Sequence, residues 1–309
     1  MSDHSNSESN DLKSIILPDG TSVEALIEKN VRQRIRQSED EDYVPVIIKR
    51  TDETRRHPDD ALQHAIEEGL EQLHRPAISL FLSAIAGGLI VGFSAMAAAV
   101  VLTALAEWEV GELSKRVATA VVYPLGFIVC ILSGAQLFTE HTATAFYPIL
   151  DRRANLPALL RLWGTVIGGN LVGALLCAGL HTSGISVTHA EEGFLLLAEH
   201  LVKFSSISLF VSAVLAGWLM ALGAWLVGSS PRTIAQIASI YIVTFLIGLG
   251  GLHHSIAGSV EILTAALLDS HFRSVEALRF VACALLGNLV GGSCFVALLN
   301  YAHIRRTNE

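Results

Sequence analysis

Charge is what this chain lacks. Only 16% of its 309 residues are Asp, Glu, Lys or Arg, against about 25% in a soluble domain. The shortage excludes a disordered chain, a coiled coil and most soluble enzymes, and directs the reading to a membrane. Bases are fewer than acids, 21 against 29, and form no stripe that could neutralise phosphates, so no nucleic-acid partner is expected. Cysteine is scarce as well. Cys130, Cys177, Cys283 and Cys294 lie in apolar stretches and share no Cys-x-x-Cys spacing, so neither a disulfide framework nor a metal site is expected. No nucleophile–base pair or phosphate-binding loop is visible, so the sequence implies no enzyme and no cofactor.

What is present is apolar and uneven. Residues 1–75 hold 17 acids and 10 bases, whereas residues 76–309 hold 12 acids and 11 bases. The long second part contains six charge-free windows: Ala77–Ala106, Val117–Thr139, Leu162–Ala190, Phe204–Pro231, Thr233–Val260 and Phe280–Ile304. A spanning helix needs about 20 apolar residues. All six windows clear that length, which predicts an all-α membrane protein of six transmembrane helices. The first window is too long and too far from the start to be a cleaved signal peptide. Continuous apolarity, rather than alternation in segments of about 10 residues, excludes a β-barrel.

The predicted organisation is an acidic tail over 1–75, a six-span body over 76–305 and a short end over 306–309. An even number of spans puts both termini on one side. Arg152, Arg153, Arg161 and Arg232, with Arg305, Arg306 and the tail's bases, favour the cytoplasm for that side, against Lys115, Arg116, Lys203 and Arg273 outside. Glu39–Asp42 is an acid run in a solvated tail. Near the tail's end, Asp59 and Asp60 could cap a helix with Leu62, Ile66, Leu70 and Leu73 on one face. Such a helix would lie on the membrane surface or pack under the bundle.

The body repeats. Gly169-Asn170-Leu171-Val172-Gly173 in the third window recurs as Gly287-Asn288-Leu289-Val290-Gly291 in the sixth, 118 residues later. Three spans per half would invert one half against the other, and inverted repeats place a solute path at their interface. Spans 2 and 5 carry the expected interruptions. The first is Ser133-Gly134-Ala135-Gln136-Leu137-Phe138-Thr139-Glu140-His141-Thr142. The second runs Gly248-Leu249-Gly250-Gly251-Leu252-His253-His254-Ser255-Ile256-Ala257-Gly258. Irregular backbone at membrane depth survives only where protein or a watery cavity satisfies it. The 118-residue offset sets Gln136 opposite His254.

Gly134-Ala135-Gln136-Leu137-Phe138-Thr139, His254-Ser255-Ile256-Ala257 and the two Gly-Asn-Leu-Val-Gly stretches resemble the formate/nitrite transporter family over about residues 76–305. Leu137-Phe138-Thr139-Glu140 and Gly258-Ser259-Val260-Glu261-Ile262-Leu263 are more similar to its YfdC-like branch. The resemblance implies an aquaporin-like inverted 3+3 fold with broken helices 2 and 5, one pore per protomer, a homopentamer and a bacterial-type inner membrane. It implies His254 as the central histidine and Thr139 as the threonine facing it. It also implies an inner constriction at Leu137, Phe138 and Phe127, and an outer one at Tyr123 and Ile247. His253 would be a lining or structural neighbour. No Asn-Pro-Ala box of the aquaporins themselves is present.

The implied function is a channel for small weak-acid anions. A bare carboxylate entering an apolar slit loses hydration at a cost of several kcal/mol, and an imidazole could supply or relay a neutralising proton. The chain departs from formate channels at Glu140, Glu261, Gly217 and Gly258. Glu140 stands beside Thr139, and Gly217 and Gly258 stand where formate channels carry asparagine. A carboxylate at membrane depth costs roughly 2.5–3.5 kcal/mol, unless it braces a half-helix N-terminus. Two alternatives stay open: a neutral-solute or cation (ammonium or proton) pathway using Glu140 and Glu261, and a membrane-anchored interaction protein. Paired breaks argue against the second, since an anchor needs no interrupted helices. The expected partners are thus a small solute, the lipid bilayer and copies of the same chain.

Overall fold

The computed structural model describes residues 58–269 and 274–306, with Arg305 and Arg306 described in backbone only. The tail before residue 58, including the acid run Glu39–Asp42, lies outside the described residues, as does Arg273. Among the described residues every regular element is helical. The helices are α1 (Pro58–His74), α2 (Ala77–Ala106), α3 (Glu112–Val122), α4 (Pro124–Leu132), α5 (Phe138–Leu150) and α6 (Leu156–Ser183). There follow α7 (Ile185–Thr188), α8 (Glu191–Val202), α9 (Ser206–Gly228), α10 (Thr233–Gly250), α11 (Ser255–Leu268) and α12 (Ser274–Val290). A π-helical stretch, Gly291–Leu298, then leads into α13 (Leu299–Arg306).

Six segments are long and apolar enough to cross a membrane: α2, α3 with α4, α6, α9, α10, and the run Ser274–Ile304. Each overlaps one charge-free window. Only 22–44% of the most apolar part of each is buried inside the chain, so the rest needs lipid or another subunit as its solvent. The chain is therefore an all-α, six-span membrane protein.

Local chemistry sets the helix boundaries. Asn155 caps α6, its side chain accepting from Ala158 N at 3.0 Å, with Pro157 in the first turn. Ser205 caps α9, accepting from Ser208 N at 3.2 Å. Pro124 has no N–H to continue the ladder of α3, so span 2 is jointed at Tyr123. Helices α5 and α11 have only 13 and 14 residues. At 1.5 Å per residue each covers about 20 Å, short of a hydrocarbon core of about 30 Å. They are half-spans, each preceded by a non-helical break.

Helix α2 packs along α6, and α9 packs along α12 in the same manner. Helix α1 packs beneath the bundle on α5. Its Leu62 and Ile66 join Ala143, Tyr147, Ala221 and Val296, while Leu73 joins Leu80, Phe138 and Leu159. Leu70 is half-buried. The helix begins at Pro58, so Asp59 and Asp60 sit inside its first turn rather than at the capping position. There they still favour the positive end of the helix dipole. Arg161 of α6 donates to Leu73 O at 2.5 Å and pins the end of α1.

Candidate functional site

The two breaks are held by matching clamps. In the first, Asn170 Nδ2 donates to Gln136 O at 2.8 Å and to Ala84 O at 2.7 Å, while its Oδ1 accepts from Phe138 N at 2.9 Å. In the second, Asn288 Nδ2 donates to His253 O at 3.1 Å and to Ala213 O at 2.8 Å, while its Oδ1 accepts from Ser255 N at 2.8 Å. Ser83 Oγ accepts from Gln136 N at 3.2 Å, and Ser212 Oγ accepts from His253 N at 3.3 Å. Backbone groups that a break would leave unsatisfied in the bilayer are thus bound by side chains of the neighbouring spans. Both breaks turn on a glycine in the left-handed region, Gly134 at φ 70° and Gly251 at φ 59°, a conformation costly to residues with a Cβ.

These clamps correct the register taken from the pentapeptide. Gln136 corresponds to His253, not to His254, and Leu137 corresponds to His254. The second half carries one more residue between its break and its asparagine. Leu137 and His254 are therefore the paired tips, and each is the N-cap of its half-helix.

The tips meet through Thr139 and His254. Thr139 Oγ1 lies 2.7 Å from His254 Nε2, and both residues are buried. Ala257 N donates to His254 Nδ1 at 3.2 Å. That nitrogen is therefore an acceptor, the ring hydrogen sits on Nε2, and Nε2 donates to the threonine. The Thr139 hydroxyl hydrogen is left to serve another acceptor. Phe127 presents its ring edge-on to the imidazole at 4.9 Å, and Tyr123 follows Phe127 at 5.2 Å. Tyr123, Phe127, Leu137 and Ile247 belong to one apolar cluster together with Ile256 and Ala257. Phe138 does not join it. As the residue after the tip it points the other way, into Leu80, Leu159 and Leu162, with Trp163 at 6.5 Å.

The remaining candidates sit around this centre. Glu140, in the first turn of α5, is 8% exposed, and its Oε2 lies 3.7 Å from His141 Nδ1. It lines a cavity of about 390 Å³ together with His64 and Glu68 of α1, His141, Thr144 and Gln236. Glu261 is 4% exposed, two turns along α11 and within electrostatic reach of Tyr123. The two glutamates share helix type but not register. His253 is held rather than free: Nδ1 pairs with Ser212 Oγ at 2.7 Å, and its ring stacks on His200 at 5.7 Å, 8° from parallel. Among the described residues no group of His, Cys, Asp or Glu is arranged to hold a metal ion.

The two glycine departures have steric reasons. A Cβ on Gly217 would overlap the backbone of Asn288, and one on Gly258 would overlap the Phe280 ring. An asparagine would displace the clamp at the first position and the packing at the second.

The clamp residues are the part of the site that the sequence motifs do not reveal. The pentapeptide repeat marks Asn170 and Asn288 but does not identify them as ligands of the breaks, and it does not reach Ser83 and Ser212. Their signal was a second repeat: Ile78-Ser79-Leu80-Phe81-Leu82-Ser83-Ala84 recurs as Ile207-Ser208-Leu209-Phe210-Val211-Ser212-Ala213.

Known proteins resemble this chain in sequence and in fold. The sequence profile of the formate/nitrite transporter family matches residues 59–302. The inner membrane protein YfdC of Escherichia coli (strain K12) is 32% identical over 246 residues, covering 79% of this chain and 77% of that protein. An FNT family ion channel superposes with a TM-score of 0.67 at 17% identity, over 79% of this chain and 99% of that one. A pentameric formate channel with formate bound superposes with a TM-score of 0.61 at 17% identity, over 74% of this chain and 98% of that one. The last two show the fold. With the profile spanning most of its length, the chain belongs to the formate/nitrite transporter family, a family of membrane channels and not of enzymes.

Proposed function

We propose that the chain conducts small monovalent weak-acid anions of the formate or nitrite type across a bacterial inner membrane. The observation that carries this reading is the buried Thr139–His254 hydrogen bond, formed where the first turns of α5 and α11 meet. Two helix N-termini bring partial positive charge to one point. The Thr139 hydroxyl adds a directed donor, and Tyr123, Phe127, Leu137 and Ile247 exclude bulk water around it. An anion can shed its shell there only against these donors. Phe138 is left out of the constriction because it packs against α6.

His254 assists in a particular way. Its Nδ1 is occupied by the Ala257 N–H, so the ring cannot take a second proton without giving up the α11 cap. It acts as a fixed hydrogen-bond donor that polarises the Thr139 hydroxyl. The proton that neutralises the solute then comes with it from the vestibule.

The paired clamps support two three-span halves inverted about this centre, and the even span count with the lysine and arginine bias of the loops supports a cytoplasmic side for both termini. The apolar outer faces, and the pentameric assembly named for the formate channel, support a homopentamer with one path per protomer. Glu140 at the α5 mouth favours one second reading, a cation or neutral-solute path using Glu140 and Glu261. Flux of formate, nitrite and ammonium into proteoliposomes separates the two. Anion flux that falls with Thr139→Val supports the first reading, and ammonium flux without anion flux overturns it.

A further inference from the structure

The cavity at the α5 mouth has a chemistry that an anion path does not call for. It is lined by Glu68 and Glu140, with His64, His141, Thr144 and Gln236, and among its described lining residues none is lysine or arginine. Glu140 is 8% exposed, and its Oε2 has no hydrogen-bond partner among the described residues, the nearest base being His141 Nδ1 at 3.7 Å. That nitrogen is turned to Leu137 O at 3.1 Å, so in the neutral ring it carries the hydrogen and Nε2 is left as an acceptor. Gln236 directs its amide N–H to Ser230 O at 3.0 Å and keeps its carbonyl oxygen as an acceptor. Glu68 accepts from Gln72 at 3.4 Å. Among the described lining residues, Glu68, Glu140, the Gln236 carbonyl and His141 Nε2 are thus acceptors, with no lysine or arginine beside them.

We propose that this cavity is a binding site for a small cation that carries N–H donors, of the ammonium or primary-amine class, held between Glu68 and Glu140. A dehydrated metal ion needs several converging ligands at about 2.0–2.6 Å, and the described residues hold no such group. An N–H cation reaches each acceptor at about 2.9 Å and tolerates the wider spacing. The room suits it, since about 390 Å³ falls within the roughly 300–1,000 Å³ of small-molecule sites. Building on the anion-channel reading, the bound cation has a regulatory consequence. An ionised Glu140 at the mouth repels the anions the centre is built to pass, and a cation between the two carboxylates cancels that field. Helix α1 contributes Glu68, so the element beneath the bundle completes the site.

The test compares methylammonium with tetramethylammonium, which has the same charge and no N–H donor, at matched ionic strength on the full-length protein. Methylammonium is expected to raise the melting temperature in detergent saturably, and tetramethylammonium is not. Glu68→Gln and Glu140→Gln should each weaken the methylammonium response by about tenfold or more in half-saturating concentration, in proportion to one lost charge-assisted hydrogen bond. In proteoliposomes, wild-type formate flux from the α1 side should be severalfold faster in methylammonium, and Glu68→Gln should abolish that difference. Equal responses to the two cations, or a methylammonium response that survives both substitutions, overturns the site. Selective binding, lost in both variants, in a protein that carries no formate under either salt would overturn the anion-channel reading and leave the site standing.

Discussion

The two breaks have the same scaffold and different tips. Each is gripped by an asparagine from the third span of its half, a serine from the first span and a left-handed glycine. At the paired tips the first break carries Leu137 and the second His254. Leu137 offers no capping group and fills the apolar cluster. His254 caps α11 through Nδ1 and offers Nε2 to Thr139. The scaffold makes interrupted backbone tolerable in a bilayer, which is a requirement of folding. On the proposed function the tips differ because one excludes water and the other donates a hydrogen bond.

If the clamps are equivalent, breaking either one should have the largest effect, and the two effects should be similar. Asn170→Ala and Asn288→Ala each remove three hydrogen bonds to buried backbone groups. An orphaned buried group costs about 1–3 kcal/mol. Both variants should lose several kcal/mol of stability, read as a large fall in melting temperature, with little flux remaining. A large loss from one and none from the other would show that the halves are not supported alike.

Exchanging the tips gives the next largest effect. His254→Leu copies the first tip onto the second. It should lower formate flux by about tenfold or more, the range of a lost directed donor, and cost about 1 kcal/mol of cap stability. His254→Gln keeps a donor but cannot titrate, and it should recover part of the flux. No recovery by glutamine, with normal melting, would point to proton storage on the ring instead of donation.

One residue before each tip the pair is Gln136 and His253. His253→Gln makes the breaks alike there. It removes the bond to Ser212 and the stack on His200, so about 1 kcal/mol of stability should be lost, with flux reduced less than about threefold. A loss as large as that from His254→Leu would mean that the wrong imidazole has been placed on the path.

The smallest effect concerns the acid that only the first half carries in its opening turn. Glu140→Gln should raise formate flux modestly, more at low ionic strength, where screening over a Debye length of about 10 Å at 0.1 M is relaxed. A drop in flux without a change in melting would favour the cation reading.

Much of this was legible in the sequence. Six charge-free windows gave the spans, and the glycine-rich interruptions of spans 2 and 5 gave the breaks. His254 and Thr139 were identified by family resemblance, and the structure brings them within hydrogen-bond distance. Register was harder. One extra residue before Asn288 shifts the pairing of the tips, and a pentapeptide offset cannot see an insertion outside itself. Phe138, which the resemblance sets in the inner constriction, packs on Leu80, Leu159 and Leu162, because the tip and the first residue of α5 face different ways, a detail that motif matching does not resolve. The α1 wall of the cavity is not legible in the sequence, because Glu68 on an amphipathic helix reads as a solvated face until the helix is packed on α5.

The central claim is that solute crosses at the Thr139–His254 contact under a hydrogen bond that Thr139 donates. Formate flux through proteoliposomes containing wild type, Thr139→Ser and Thr139→Val, matched for assembly and melting temperature, tests it most directly. The account predicts that serine conducts near the wild-type rate and that valine, similar in shape but without the hydroxyl, loses about tenfold or more. Valine conducting as well as wild type would contradict it.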